Sequence, residues 1–98
     1  MKLVLNCCYG YFSLSDFARK ELGLDWYADP MRDDPALIAL VEKYGARCNG
    51  RSANLQVITL PDNCTDWTIR EYDGLEEIIY VVNGKLCFGC DYDEGDDK

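Results

Sequence analysis

Apolar residues recur along this chain with two different periods. Leu37, Leu40, Val41 and Tyr44 fall at i, i+3, i+4 and i+7, which puts them on one stripe of a helix. Asp34 stands ahead of them as an N-cap, Pro35 fills the first helical position, and Gly45 follows the last turn. A helix is therefore expected between Asp34 and Gly45, with its stripe covered by a sheet. A shorter helix is expected earlier, capped by Ser15, with Asp16 in its first turn and Gly23 at its end. Residues 25–33, which include Trp26, Tyr27 and Pro30, read as irregular.

The other period is two. Residues 2–6 alternate weakly and predict a first strand. From Leu55 onward the chain turns to β, with strands expected at 55–60, 67–72, 75–82 and 85–90. Asp73-Gly74 and Asn83-Gly84 separate the last three runs. These dipeptides are strong hairpin signals, because a type I′ turn needs positive φ at both central residues. The pattern predicts one small α+β domain over residues 1–90. It would be an antiparallel meander joined by the N-terminal strand, with two helices packed on one face.

At 98 residues and 48% hydrophobic content, the chain can bury a single core. No apolar run approaches the ~18 residues of a membrane-spanning helix, so no membrane partner is expected. The formal charge is −8, and it is unevenly placed. Residues 1–70 carry nine acids and eight bases, a net of −1, whereas residues 71–98 carry nine acids and two bases, a net of −7. Such a field repels phosphate backbones, which argues against direct nucleic-acid binding and for a basic protein partner. Glu71, Asp73, Glu76 and Glu77, on the expected hairpin, are the candidate contact residues. A charged hairpin also protects a sheet edge from aggregation. Residues 91–98 are expected to form a disordered acidic tail.

Six cysteines and no histidine limit the chemistry. Residues 1–6 hold one basic and four apolar residues, too short a run for the apolar region of an export signal, so thiols rather than a disulfide framework are expected. Cys87-Phe-Gly-Cys90 follows the Asn-Gly turn at the spacing of one arm of a tetrahedral zinc site. The other ligands would come from Cys7, Cys8, Cys48 or Cys64. By strand parity Leu3, Leu5 and Cys7 share one face, while Val4, Asn6 and Cys8 share the other. If the leucines face the helices, Cys8 and Cys87 lie together on the outer side. The expected metal set is then Cys7, Cys8, Cys87 and Cys90, with Cys48 or Cys64 able to replace one of the first two. Buried, unligated thiols are the competing reading, and thiol redox activity is a third. An enzyme is otherwise not expected: without histidine the commonest general base is missing, and no glycine-rich phosphate loop stands out.

Three stretches, "LNCCYGYFSLS" (5–15), "LVEKYGARCNGRSANLQVITLPD" (40–62) and "WTIREYDGLEEI" (67–78), together carry a resemblance. They resemble a group of small, largely uncharacterised proteins of phages and prophages of Gram-positive bacteria. The matching positions are Asn6, Cys8, Tyr9, Gly10 and Phe12, then Asn49-Gly50-Arg51, then Trp67 and 71–76. Tyr11 stands where that group tends to have glycine, and the ending from Cys87 is not part of its pattern. The resemblance implies a phage protein working in the host bacterial cytoplasm. By analogy of size, charge and origin, it suggests an anti-CRISPR protein that binds the type II CRISPR nuclease and blocks nucleic-acid loading or cleavage. Two alternatives are a zinc-stapled phage interaction module and a sponge for a signalling nucleotide, for which Arg47, Arg51 and Arg70 are the only candidate cradle.

Overall fold

Residues 3–6 are buried without a break, and this strand organises the molecule. The computed structural model describes residues 1–25 and 28–89. Strand β1 (Lys2–Asn6) pairs antiparallel with β2 (Leu55–Thr59), Leu3 lying opposite Ile58 and Leu5 opposite Gln56. Side chains alternate across a strand, so full burial of β1 requires cover on both faces. On one face Val4 packs with Leu14, Ala18, Leu37, Val41, Cys48 and Leu55. On the other, Leu3, Leu5 and Cys7 pack with Leu60 and Ile78. A buried leucine or valine contributes about 2 kcal/mol, so β1 is the main anchor of both clusters.

The helical face is covered by α1 (Asp16–Leu22), α2 (Pro35–Tyr44) and a 3₁₀ turn over Gly45–Cys48. The caps are as expected: Ser15 Oγ accepts from Ala18 N–H, and the Asp34 carboxylate accepts from Ala36 N–H. Leu37 and Val41 are fully seated, with Leu40 and Tyr44 packed at the margin. The opposite face meets a second sheet, β3 (Cys64–Tyr72), β4 (Leu75–Val82) and β5 (Lys85–Phe88), in that spatial order. The α+β architecture therefore has three layers: helices, a two-stranded ribbon and a three-stranded meander.

Two expectations change here. The N-terminal strand does not join the meander but forms its own ribbon with β2. Leu3 and Leu5 face the meander, and the smaller Val4 faces the helices. The parity premise that brought Cys8 and Cys87 to one outer side therefore fails. Both turns of the meander are left-handed at both residues, with φ of 50° and 88° at Asp73-Gly74 and 53° and 78° at Asn83-Gly84. β3 begins at Cys64, three residues before the run that its side chains suggest, because backbone pairing continues past a register shift between Cys64 and Asp66.

The outer edge of β1 is closed by groups that are not strands. Val4 N–H donates to the Arg32 carbonyl at 2.8 Å, so part of the irregular 25–33 stretch runs along this edge. Asn6 N–H donates to the Glu76 carboxylate at 3.0 Å. No helix among the described residues is long and apolar enough to cross a membrane. The expected acidic tail, residues 91–98, lies outside the described residues.

Candidate protein-binding site at the β3–β4 hairpin tip

The end of β1, the loop after it and the tip of the β3–β4 hairpin meet at one polar junction. Asn6 is fully buried and its amide is satisfied on both sides. Its NH₂ donates to the Gly74 carbonyl at 2.7 Å and to the Cys8 carbonyl at 3.2 Å, while its oxygen accepts from Asn54 N–H at 2.7 Å. Glu76 beside it is only 5% exposed. Arg32 reaches its carboxylate twice, Nε to Oε1 at 3.1 Å and Nη2 to Oε2 at 2.6 Å. The guanidinium stacks 3.5 Å from the Phe12 ring centroid, which holds the fork in place. The contact between hairpin and loop is backbone on backbone: a Cβ on Gly74 would fall on the Gly10 carbonyl. Gly10 in turn lies against Ser52, and Gly50 against Ser13.

Above this junction the surface opens. A concavity of about 450 Å³ is lined by Tyr9, Arg70, Glu71, Tyr72, Leu75 and Glu77. Tyr9 and Tyr72 are 61% and 68% exposed, and their rings meet edge to face at 6.4 Å. Glu71 and Asp73 are exposed, and Glu77 is half-buried. Glu71 Oε2 accepts from Gly74 N–H at 2.5 Å, which fixes the carboxylate at the turn. Glu77 pairs across the strands with Arg70. Two aromatic faces among fixed carboxylates are the chemistry that receives a lysine or arginine side chain, through ion pairing and cation–π contact.

Three of the four expected contact acids, Glu71, Asp73 and Glu77, thus surround the hairpin tip. Glu76 does not join them; it points inward to Arg32 and Asn6. A signal for this was present, since Glu76, Ile78 and Tyr80 share one face of β4 and Ile78 is a core residue. The aromatic half of the concavity, Tyr9 and Tyr72, was missed. They lie far apart in sequence and meet only because Gly74 docks on Gly10.

The cysteines do not gather into one site among the described residues. Cys7 is buried. Cys8, Cys48, Cys64 and Cys87 are free. Cys8 Sγ donates to the Ser52 carbonyl at 3.1 Å, and Cys87, on β5, lies opposite Tyr80. Cys90, the remaining expected zinc ligand, lies outside the described residues. Among the described residues no group of three or more cysteines or acids gathers to hold a metal ion.

Burial pushes the Cys48 thiol above its ordinary pKa, partly offset by the adjacent Arg47 guanidinium. Its Sγ donates to the Leu40 carbonyl at 3.6 Å inside the helical cluster. In native protein, iodoacetamide at neutral pH is therefore expected to label Cys8, Cys64 and Cys87 but not Cys48. Peptide mapping by mass spectrometry checks this, and labelling of Cys48 at the rate of Cys8 would contradict its burial.

Against the expectation of no such loop, Gly45-Ala-Arg-Cys-Asn-Gly50-Arg-Ser has the glycine spacing of a phosphate-binding loop, with arginine in place of lysine. It follows a helix and precedes a strand, the reverse of the order such a loop needs, so it forms no phosphate cradle. No family model, curated protein or solved structure matches this chain.

Proposed function

We propose that this chain is a protein-binding module that engages a basic surface of its partner with the β3–β4 hairpin tip. The observation that carries this reading is the concavity of Tyr9, Tyr72 and Leu75 with Glu71 and the Arg70–Glu77 pair, next to the turn that carries Asp73. A lysine or arginine side chain entering it meets the Glu71 carboxylate and aromatic faces, and can compete with Arg70 for Glu77, while the negative field of residues 71–98 speeds encounter. The same field disfavours nucleic acid as a direct ligand. A basic groove that normally holds nucleic acid is the complementary surface.

The resemblance to phage proteins makes a host-defence nuclease the first partner to test, and the type II CRISPR nuclease has such a groove. In this reading the chain is an inhibitor that covers the groove in the host cytoplasm and blocks nucleic-acid loading or cleavage. The test is co-purification with the nuclease, with and without guide RNA, followed by a DNA-cleavage assay. Tyr9→Ala with Tyr72→Ala, or Glu71→Gln with Asp73→Asn, should each weaken capture at least tenfold with folding intact. Full cleavage in the presence of excess wild-type protein, with no nuclease captured, would sink the proposal for this partner.

A further inference from the structure

We propose that this chain forms a two-fold dimer through the free edge of β2. The hydrogen-bond alternation of the ribbon decides which groups that edge presents. Cys7 N–H bonds the Asn54 carbonyl and Leu60 N–H bonds the Met1 carbonyl, both at 2.8 Å, whereas Val4 N–H points away to Arg32. Val4 lies opposite Val57 and Lys2 opposite Thr59, so the main-chain groups of Val57 and Thr59 point away from β1. No described group bonds them. Leu55 also faces outward, but its N–H is already taken by the Asn49 side chain at 2.9 Å. The two edges of the ribbon thus differ: β1 is closed by Arg32 and Glu76, and β2 is open.

The open edge is self-complementary. A two-fold axis at Val57 sets Val57 opposite its own copy, each N–H facing a carbonyl, and sets Thr59 N–H opposite the partner's free Leu55 carbonyl. The copies would then share one four-stranded antiparallel sheet. Beside the edge, between β2 and the C-terminal end of α2, lies a groove of about 540 Å³ lined by Val41, Gly45, Ala46, Leu55 and Val57 and by Glu42, whose charge is answered by Lys2. Leu55 and Val57 face the helices, so the same side chains of a paired copy enter this groove.

Charge selects a second copy as the occupant. The chain carries −8, so two copies repel unless they meet where charge is absent. Leu55-Gln-Val-Ile-Thr59 is the only one of the five described strands without an ionisable side chain. It also lacks the lysine or proline that keeps solitary edge strands from pairing.

The experiment is size-exclusion chromatography with light scattering on the full chain, its accessible thiols alkylated to exclude mixed disulfides. The wild type should elute at twice the 11.2 kDa chain mass at high micromolar concentration. Val57→Pro removes an N–H that no described group uses, and Thr59→Lys places a charge on an exposed position of the edge. Both variants should run at the monomer mass with unchanged circular dichroism. If Val57→Pro fails to fold, Thr59→Lys decides alone. A wild type that stays monomeric across the range overturns the proposal, including one that binds only an extended foreign peptide. A dimer that survives in the folded variants overturns it as well, because another surface would then hold the copies.

Discussion

Glu76→Gln is expected to lower stability by about 3 kcal/mol, the lower end of the range for breaking a buried ion pair by changing one partner. Glutamine preserves an acceptor for Asn6 N–H, so that 3.0 Å bond can persist. What it loses is the charge that answers both nitrogens of Arg32. The guanidinium, with only 22% of its side chain exposed, is then left against Phe12 without its counter-ion. The lower end of the range applies because Arg32 retains some access to water. For a chain of this size, the melting temperature should fall by roughly 15 °C. Arg32→Met combined with Glu76→Gln should recover part of the loss, since the uncompensated charge is then gone. A Glu76→Gln protein that melts within 2 or 3 °C of wild type would contradict the inward placement of this carboxylate.

Gly74→Ala is the second large effect, and it acts on the backbone. Gly74 holds φ of 88°, where any side chain is strained, at a cost of about 1–2 kcal/mol. Its Cβ would also fall on the Gly10 carbonyl, and overpacking of that kind costs about 1–3 kcal/mol more. Backbone rather than a flexible side chain is in the way, so the hairpin tip and the loop after β1 must move apart. The Asn6 bond to the Gly74 carbonyl is lost with that movement. The total is about 3 kcal/mol, accompanied by faster amide exchange in the loop containing Tyr9 and Gly10. Gly84→Ala is the control. Gly84 has a similar φ of 78° but nothing within 4 Å of an added Cβ, so only the conformational part of the cost remains.

The elements themselves were legible in the chain. The stripe of Leu37, Leu40, Val41 and Tyr44, the caps at Ser15 and Asp34, and the Asp-Gly and Asn-Gly turns are local signals, and local geometry honours them. The layering was not legible. Leu3, Val4 and Leu5 are all buried, and a strand apolar on both sides does not say which face meets helices and which meets a sheet. That ambiguity reversed the parity argument about the cysteines. The candidate site was half legible: acids crowded near Asp73-Gly74 could be read directly, but Tyr9 comes from a loop more than sixty residues away. Glu76 was misplaced because its charge suggested solvent, whereas its register with Ile78 places it inside. A carboxylate is tolerated there because Arg32 and Asn6 answer it.

Asn6, Gly10, Phe12, Gly74 and Glu76 all belong to the contact between the loop and the hairpin tip. That contact sets the distance between Tyr9 and Tyr72, so the polar core and the surface concavity stand or fall together.

The most direct test of the hairpin tip as the recognition surface is a ¹H–¹⁵N NMR titration of the full chain with an arginine- and lysine-rich peptide. The shifts should concentrate at Tyr9, Gly10, residues 71–75 and Glu77, and they should weaken as salt is raised. Shifts confined to the acidic residues after Asp91, with the hairpin tip unmoved, would contradict it.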